Sequence, residues 1–307
     1  MKRVFLFALA LLVTGVVLPP LWYSVFPTEV PELPASGRRV PLEDGVSVNV
    51  LDEGSGAPIV LVHGLPGSAY DWRPTQEALV GRGYRVLAYD RVGYGYSDSH
   101  PDGVYTVESS AQDLLALLEN AGLSDVTLVG WSYGGAASMR AALQDSSRIG
   151  RLVLVGSAGY LEAPPTPPPG AEWIMIGILS WAAYVPPAEF WLQGVFSQQA
   201  FSPSPLPDWW LPQLAANFHQ PGTEVAWLGE QATISWDGPD PRPIPLPILV
   251  AHGDKDALVP LEVGEWLHER SMDSQLWVVE GAGHMLPVTH PEALADQIQD
   301  FIQPETG

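Results

Sequence analysis

The stretch from Val126 to Gly135 reads VTLVGWSYGG, an apolar run followed at once by a turn of small residues. Its first six residues predict a buried strand, and helical spacing begins at Ser132. A serine on a tight strand-to-helix turn exposes its Oγ and lies beside backbone N–H groups that can stabilise an oxyanion. The glycines at 130 and 134 let such a turn close without side-chain clashes. The context favours a nucleophile at Ser132 over a chance G-x-S-x-G in a glycine-rich loop.

Short apolar runs alternate with stretches of helical spacing on both sides of this turn. This alternation predicts the α/β class, with a mostly parallel central sheet covered by helices on both faces. The predicted strands are Val46–Leu51, Ile59–His63, Arg85–Asp90, Val126–Trp131, Leu152–Gly156, Ile248–His252 and Leu276–Val279. The predicted helices are Asp71–Val80, Glu108–Ala121, Ser132–Leu143, Leu261–Ser271 and Pro291–Ile302.

Residues 157–245 break this alternation. They hold seven of the chain's twelve tryptophans, and ten prolines lie between positions 164 and 207. A structureless loop of this length is implausible inside a compact domain. We therefore predict a helical cap at 157–245, inserted into a core made of residues 29–156 and 246–307.

Composition excludes several classes of function. The formal net charge is −21, from 35 acidic and 14 basic residues, so nucleic acid is not an expected partner and strongly anionic substrates are disfavoured. The chain has no cysteine, which removes disulfides, thiolate metal sites and cysteine nucleophiles. No motif in the sequence indicates a cofactor or a metal. The sequence does not indicate an oligomeric state.

A serine nucleophile needs a base and an acid that orients the base. His284 follows the last predicted strand, where the carboxyl ends of parallel strands converge. The acid is expected after the strand Ile248–His252, where the loop offers Asp254 and Asp256. Either aspartate could instead bind its own turn backbone, and a metal site built from these two and His252 is a further alternative.

The order Ser132, Asp256, His284 resembles the α/β-hydrolase fold superfamily. Three further motifs carry the resemblance: HGLPG at 63–67, DRVGYGYS at 90–97 and G-x-x-D-x-x-V-P at 253–260. The last favours Asp256 over Asp254. The resemblance covers about residues 44–303 without the predicted cap, and the overall pattern is similar to membrane-anchored bacterial serine esterases and lipases.

The resemblance implies a role for several residues around the triad. It implies an oxyanion hole formed by the backbone N–H groups of Leu65 and Tyr133. Trp131, before the serine, resembles its counterpart in small carboxylesterases, and Trp131 and Met285 are assigned to substrate binding. His63 ends a predicted strand directly before the turn at 64–67, and we expect it to shape that turn rather than act as base.

The expected activity is cleavage of small-molecule carboxylic esters through an acyl-enzyme. Carbon–carbon bond hydrolases, proline iminopeptidases and cofactor-free haloperoxidases of the same superfamily keep the serine and stay as alternatives. Haloalkane dehalogenases and most epoxide hydrolases place aspartate there and are disfavoured. Because the predicted cap is rich in large apolar rings, we expect apolar acyl chains to be preferred.

The N-terminal sequence predicts that the protein binds a membrane. Lys2 and Arg3 precede an uncharged stretch that ends at Thr28, and Trp22 and Tyr23 suit a membrane interface. We therefore expect residues 1–28 to anchor the chain, with the catalytic domain outside the cytoplasm. The alternative is a cleaved signal that leaves a secreted or periplasmic enzyme.

Overall fold

The computed structural model describes residues 37–42, 45–159, 197–218, 220–233 and 240–303. Its centre is an eight-stranded sheet with the order β1-β2-β4-β3-β5-β6-β7-β8. Strand β2 is antiparallel to both of its neighbours, and the other pairings are parallel. The strands are β1 (Arg38–Pro41), β2 (Ser47–Gly54), β3 (Pro58–Val62), β4 (Arg85–Tyr89), β5 (Val126–Trp131), β6 (Ile149–Val155), β7 (Ile248–Gly253) and β8 (Ser274–Val279).

The helices cover both faces of the sheet, so the predicted fold class is confirmed. The helices are α1 (Arg73–Gly81), α2 (Val107–Asn120), α3 (Tyr133–Gln144), α4 (Trp210–Phe218), α5 (Thr223–Thr233), α6 (Leu261–Arg270), α7 (Leu286–Thr289) and α8 (Pro291–Ile302). Val60 and Val62 of β3 enter one core cluster with side chains of α2, α3 and α6, whereas Ile59 and Leu61 enter a second cluster with side chains of α1 and α8. This alternation follows from the two-residue period of a strand.

The direction in which strands are added to the sheet reverses at β3. From β3 the chain continues to β4 on one side, and β5 then pairs with β3 on the other. The register aligns Val62 with Gly130, so the segments that follow β3 and β5 leave the sheet at the same edge. Such a switch point is where open α/β sheets bind their ligands.

Part of the predicted cap lies among the described residues. Helices α4 and α5 both belong to it, together with a short π-helical turn at Ser197–Phe201. Residues 160–196, 219 and 234–239 of the predicted cap lie outside the described residues. The boundaries 157 and 245 therefore stay a prediction.

The predicted membrane anchoring is corrected. The longest helix among the described residues, α2, has 14 residues, or about 21 Å, against a hydrocarbon core of about 30 Å. No helix in the described part of the chain is long and apolar enough to cross a bilayer. This finding contradicts the predicted membrane-anchored localisation. The segment 1–28 itself lies outside the described residues.

Candidate active site

Ser132 lies on a strained turn between β5 and α3. Its φ of 54° and ψ of −122° are outside the regions that L-residues usually adopt. The turn is held from β6 and the segment after it: Ser132 N donates to Val155 O, and Ala158 N donates to Ser132 O, both at 3.0 Å. Strain at a single residue persists only where its surroundings fix it, and such residues cluster at functional sites.

Gly64 and Gly134 are required for the close packing of this turn. A Cβ at Gly64 would lie 2.9 Å from Ser132 Cβ and 3.1 Å from the Trp131 ring. A Cβ at Gly134 would collide with the backbone oxygen of Val62. Both positions need glycine, and the loop after β3 therefore packs directly against Ser132.

Asp256 and His284 form a buried pair at the same edge of the sheet. His284 Nδ1 lies 2.7 Å from Asp256 Oδ2, and Asp256 Oδ1 accepts the N–H groups of Leu258 and Val259. Burial acts to raise the pKa of Asp256, but His284 and the N–H of Val259 outweigh it, so that pKa lies below its usual value. Asp256 is therefore held as a carboxylate that fixes the orientation of the imidazole.

Two further contacts connect this pair to the serine turn. Trp131 Nε1 donates to His284 O at 3.0 Å. A Cβ at Gly156, directly after β6, would lie 3.2 Å from Asp256 Oδ2 and 3.3 Å from His284 Nδ1. The backbone on both sides of the serine turn therefore approaches the Asp256–His284 pair, although these segments are far apart in the sequence.

Asp254 has a different environment. Its side chain accepts the N–H of Gly281 at 2.6 Å and pairs with Lys255 at 2.9 Å. The Lys255 hydrogen bond lowers the pKa of Asp254. These partners fit the turn aspartate considered as an alternative, and they separate Asp254 from the His284 imidazole.

His252 contacts the loop after β7 that carries Asp254 and Asp256. It is fully buried, its Nε2 donates to Val259 O at 2.8 Å, and the same Nε2 lies 3.6 Å from Asp256 Oδ2. Burial lowers its pKa, which keeps the ring neutral. Among the described residues, no group of histidines and carboxylates that could hold a metal ion is found.

The residues predicted to form the oxyanion hole adjoin segments that contact Ser132. Tyr133 is the first residue of α3, and Leu65 follows Gly64 in the loop that packs on the serine. Trp131 and Met285 are both buried, and the Trp131 ring packs against the His284 ring with 5.4 Å between centroids. Their role in substrate binding stays a prediction.

His63 is placed where it can hold the loop after β3. Its Nδ1 bonds Gly64 O at 2.8 Å, and its Nε2 accepts the backbone N–H of Arg91 at 3.0 Å. Burial, and then the charge of Arg91, hold its pKa well below the usual value. Because Nε2 is an acceptor, the ring is neutral with its proton on Nδ1.

Sequence reasoning missed a buried ion pair beside this loop. Arg91 pairs with Glu230 of α5, across 139 positions of the chain, and both side chains are almost fully buried. Arg91 belongs to the quoted motif at 90–97, but nothing in the pattern names its partner. The one available signal was a glutamate placed directly after the apolar run VAWLG at 225–229.

Known proteins match the chain over most of its length. A family model described as alpha/beta hydrolase fold matches residues 57–291. The chain is 31% identical over 280 residues to 2-hydroxy-6-oxo-2,4-heptadienoate hydrolase of Pseudomonas putida, covering 88% of this chain and 97% of that protein. It is 29% identical over 276 residues to a non-heme haloperoxidase of Rhodococcus erythropolis, covering 86% and 98%.

Solved structures also match the chain over most of its length. The esterase EaEST of Exiguobacterium antarcticum matches with a TM-score of 0.71 at 26% identity, covering 87% of this chain and 99% of that one. Hydrolases, haloperoxidases and esterases all occur among the matches, and no one activity dominates. The narrower resemblance to membrane-anchored esterases and lipases is not supported. Because the family model and the curated relatives span most of the chain, the protein belongs to the α/β-hydrolase fold family and is a hydrolase.

Proposed function

We propose that the protein is a serine hydrolase that cleaves carboxylic esters through an acyl-enzyme. The observation that carries the proposal is the strained Ser132 turn beside the buried Asp256–His284 pair. In this mechanism His284 takes the Ser132 proton as Oγ attacks the ester carbonyl, and returns it to the leaving alcohol. Water then hydrolyses the acyl-enzyme with His284 again as base.

The oxyanion of each tetrahedral intermediate would be bound by the N–H groups of Leu65 and Tyr133. Such donors are fixed before the reaction, so they stabilise developing charge without reorganisation. Asp256 would hold the imidazole with its proton on Nδ1 and stabilise the imidazolium that forms. The pKa of Asp256, lowered mainly by His284 against its burial, favours that role.

The charge distribution supports a neutral ester as substrate. Residues 157–245 contain one basic residue, Arg242, and it pairs with Asp240. Near the site, the guanidinium of Arg91 is committed to Glu230. A substrate carboxylate would therefore meet few cations in a chain of net charge −21, and desolvating it unpaired is costly.

The preference for apolar acyl chains is still a prediction, and it rests on the many large apolar rings in residues 157–245. Of the tryptophans in the predicted cap, Trp210 donates to Asp71 and Trp227 packs edge-on against Phe218 at 6.2 Å. Trp210 and Trp227 therefore contribute to packing. A pocket for apolar acyl chains would have to be lined by other tryptophans of the predicted cap. Each buried methylene is worth about 0.8 kcal/mol, or roughly a fourfold gain in kcat/KM if realised in the transition state.

Carbon–carbon bond hydrolysis is the second candidate, and the similarity to the Pseudomonas putida dienoate hydrolase favours it. The test is a screen of p-nitrophenyl esters from acetyl to dodecanoyl, with 2-hydroxy-6-oxo-2,4-heptadienoate and a peroxide–halide assay in parallel. We expect ester turnover to dominate and kcat/KM to climb from acetyl to medium chains. Faster turnover of the dienoate than of every ester would overturn the proposal, and a profile that is best at acetate would reject the apolar pocket.

A further inference from the structure

Arg91 contacts the backbone of the loop that follows β3. Its side chain is buried, Nη2 donates to Gly64 O at 3.1 Å, and Nε donates to His63 O at 3.2 Å. His63 Nδ1 donates to the same Gly64 oxygen at 2.8 Å. Two side-chain donors therefore converge on one carbonyl.

That carbonyl belongs to the peptide unit whose N–H is the Leu65 N–H. The bond between Gly64 and Leu65 is trans, and a trans peptide is planar with its C=O and N–H in opposite directions. Fixing the oxygen of Gly64 therefore fixes the direction of the Leu65 N–H. Rotation of this peptide would break both hydrogen bonds and leave buried donors unpaired.

Glu230 of α5 holds the guanidinium in place. Both of its carboxylate oxygens bind Arg91, and Tyr94 Oη donates to Glu230 Oε2 at 2.6 Å. The Arg91 guanidinium also lies 4.6 Å from the ring centroid of Tyr133, the residue whose N–H is the second predicted donor. The pair thus connects α5 to both sides of the predicted oxyanion hole.

We propose that Arg91, clamped by Glu230, is a positioning residue for the oxyanion hole. It holds the Gly64–Leu65 peptide so that the Leu65 N–H faces the developing oxyanion, and it makes this orientation depend on the placement of α5. The inference deepens the proposed function and rests on it. A purely structural role for the pair predicts a change in stability without a selective change in transition-state binding.

The test compares four proteins: wild type, Arg91→Lys, the double variant Arg91→Met/Glu230→Gln, and Arg82→Met. The double variant removes both charges, so neither is left buried and unpaired, and the amide introduced in place of Glu230 can still accept the Tyr94 hydroxyl. Arg82 pairs with the exposed carboxylates of Glu292 and Asp296 of α8, and it serves as the control for loss of a paired arginine. Each protein is assayed for kcat, KM, inhibition by a phenylboronic acid, thermal unfolding and fluorophosphonate labelling of Ser132.

We expect kcat of the double variant to fall about ten- to a hundredfold, because a misplaced oxyanion donor loses much of its effect. KM should stay within about twofold, and boronate affinity should fall by the same factor as kcat/KM, since boronates mimic the tetrahedral state. Arg91→Lys keeps the charge but not the forked hydrogen bonds, and should lie in between. Arg82→Met should match wild type in kcat and in boronate affinity.

Folded variants with kcat and boronate affinity within about twofold of wild type would overturn the inference alone, provided that Ser132 of the wild type is labelled. Failure of the wild type to label at Ser132 would overturn both the proposed function and the inference. If the double variant does not fold, Arg91→Lys decides by the same two readouts.

Discussion

His284 Nδ1 and Asp256 Oδ2 lie 2.7 Å apart in a buried contact, whereas Asp254, two positions earlier, accepts the N–H of Gly281. The two aspartates stand in one loop and differ in what they bind. This difference gives a matched pair of variants at the centre of the proposed mechanism.

Asp256→Asn should lower kcat by about three to four orders of magnitude, because an amide can no longer hold and stabilise the imidazolium. Asp254→Asn should lower it by less than about fivefold, since an amide oxygen can still accept the Gly281 N–H. Ester turnover of both variants under identical conditions checks the prediction. A larger loss at Asp254 would mean that Asp256 is not the acid of the triad.

Ser132→Ala and His284→Ala should each remove about five to six orders of magnitude of kcat, and the double variant should lose no more than either. A nucleophile and its base act as a unit, so their losses do not add. The measurement is kcat of all three proteins beside a circular dichroism spectrum that shows the fold is kept. Additive losses would mean that the two residues act in separate steps.

Gly64→Ala should lower kcat/KM by about tenfold or more with little change in secondary structure. The new methyl would stand 2.9 Å from Ser132 Cβ, so either the serine or the loop must shift, and small shifts at reacting atoms are costly. Gly81→Ala is the control, because a Cβ there meets nothing within 4 Å. Equal kcat/KM for the two variants would show that the close approach at Gly64 does not matter.

The buried carboxyl of Asp71 leads us to expect that the stability of the protein depends on pH. It accepts Ser68 N and Trp210 Nε1 in a buried position, and burial raises its pKa to about 6. A raised carboxyl pKa means that the folded state binds the proton more tightly than the unfolded state. The contribution of Asp71 to the free energy of unfolding is therefore fully present below about pH 4 and is lost as the pH rises through about 6.

The difference in unfolding free energy between wild type and Asp71→Asn isolates this contribution. Between about pH 7 and about pH 4 the difference should move in favour of wild type by up to about 3 kcal/mol. Urea titrations at a series of pH values measure it. A difference that stays constant, or one that moves toward the variant on acidification, would contradict the raised pKa.

The sequence predicts those features that are local in the chain. The strand from Val126 to Trp131 has the same bounds in the structure, because a β-branched run closed by a glycine turn is unambiguous. The strand β1 was not predicted, since Arg38–Pro41 is four residues long and Val40 is its one buried side chain. A short edge strand takes its conformation from its pairing with β2 rather than from its own pattern.

Long-range pairings lay beyond sequence reasoning. Asp71 meets Trp210, and Arg91 meets Glu230, each across 139 positions, and neither partner stands in a motif that names the other. The preference for Asp256 over Asp254 came from resemblance alone, because composition allows either. Only the fold brings one of them to His284.

The most direct test of the central claim is the site of covalent reaction. Wild type, Ser132→Ala and His284→Ala are treated with a fluorophosphonate, and the adduct is located by intact-mass measurement and peptide mapping. We predict one adduct per chain on Ser132, none on Ser132→Ala, and labelling that is slowed by orders of magnitude in His284→Ala. An adduct on another residue, or ester turnover that persists in Ser132→Ala, would contradict the account.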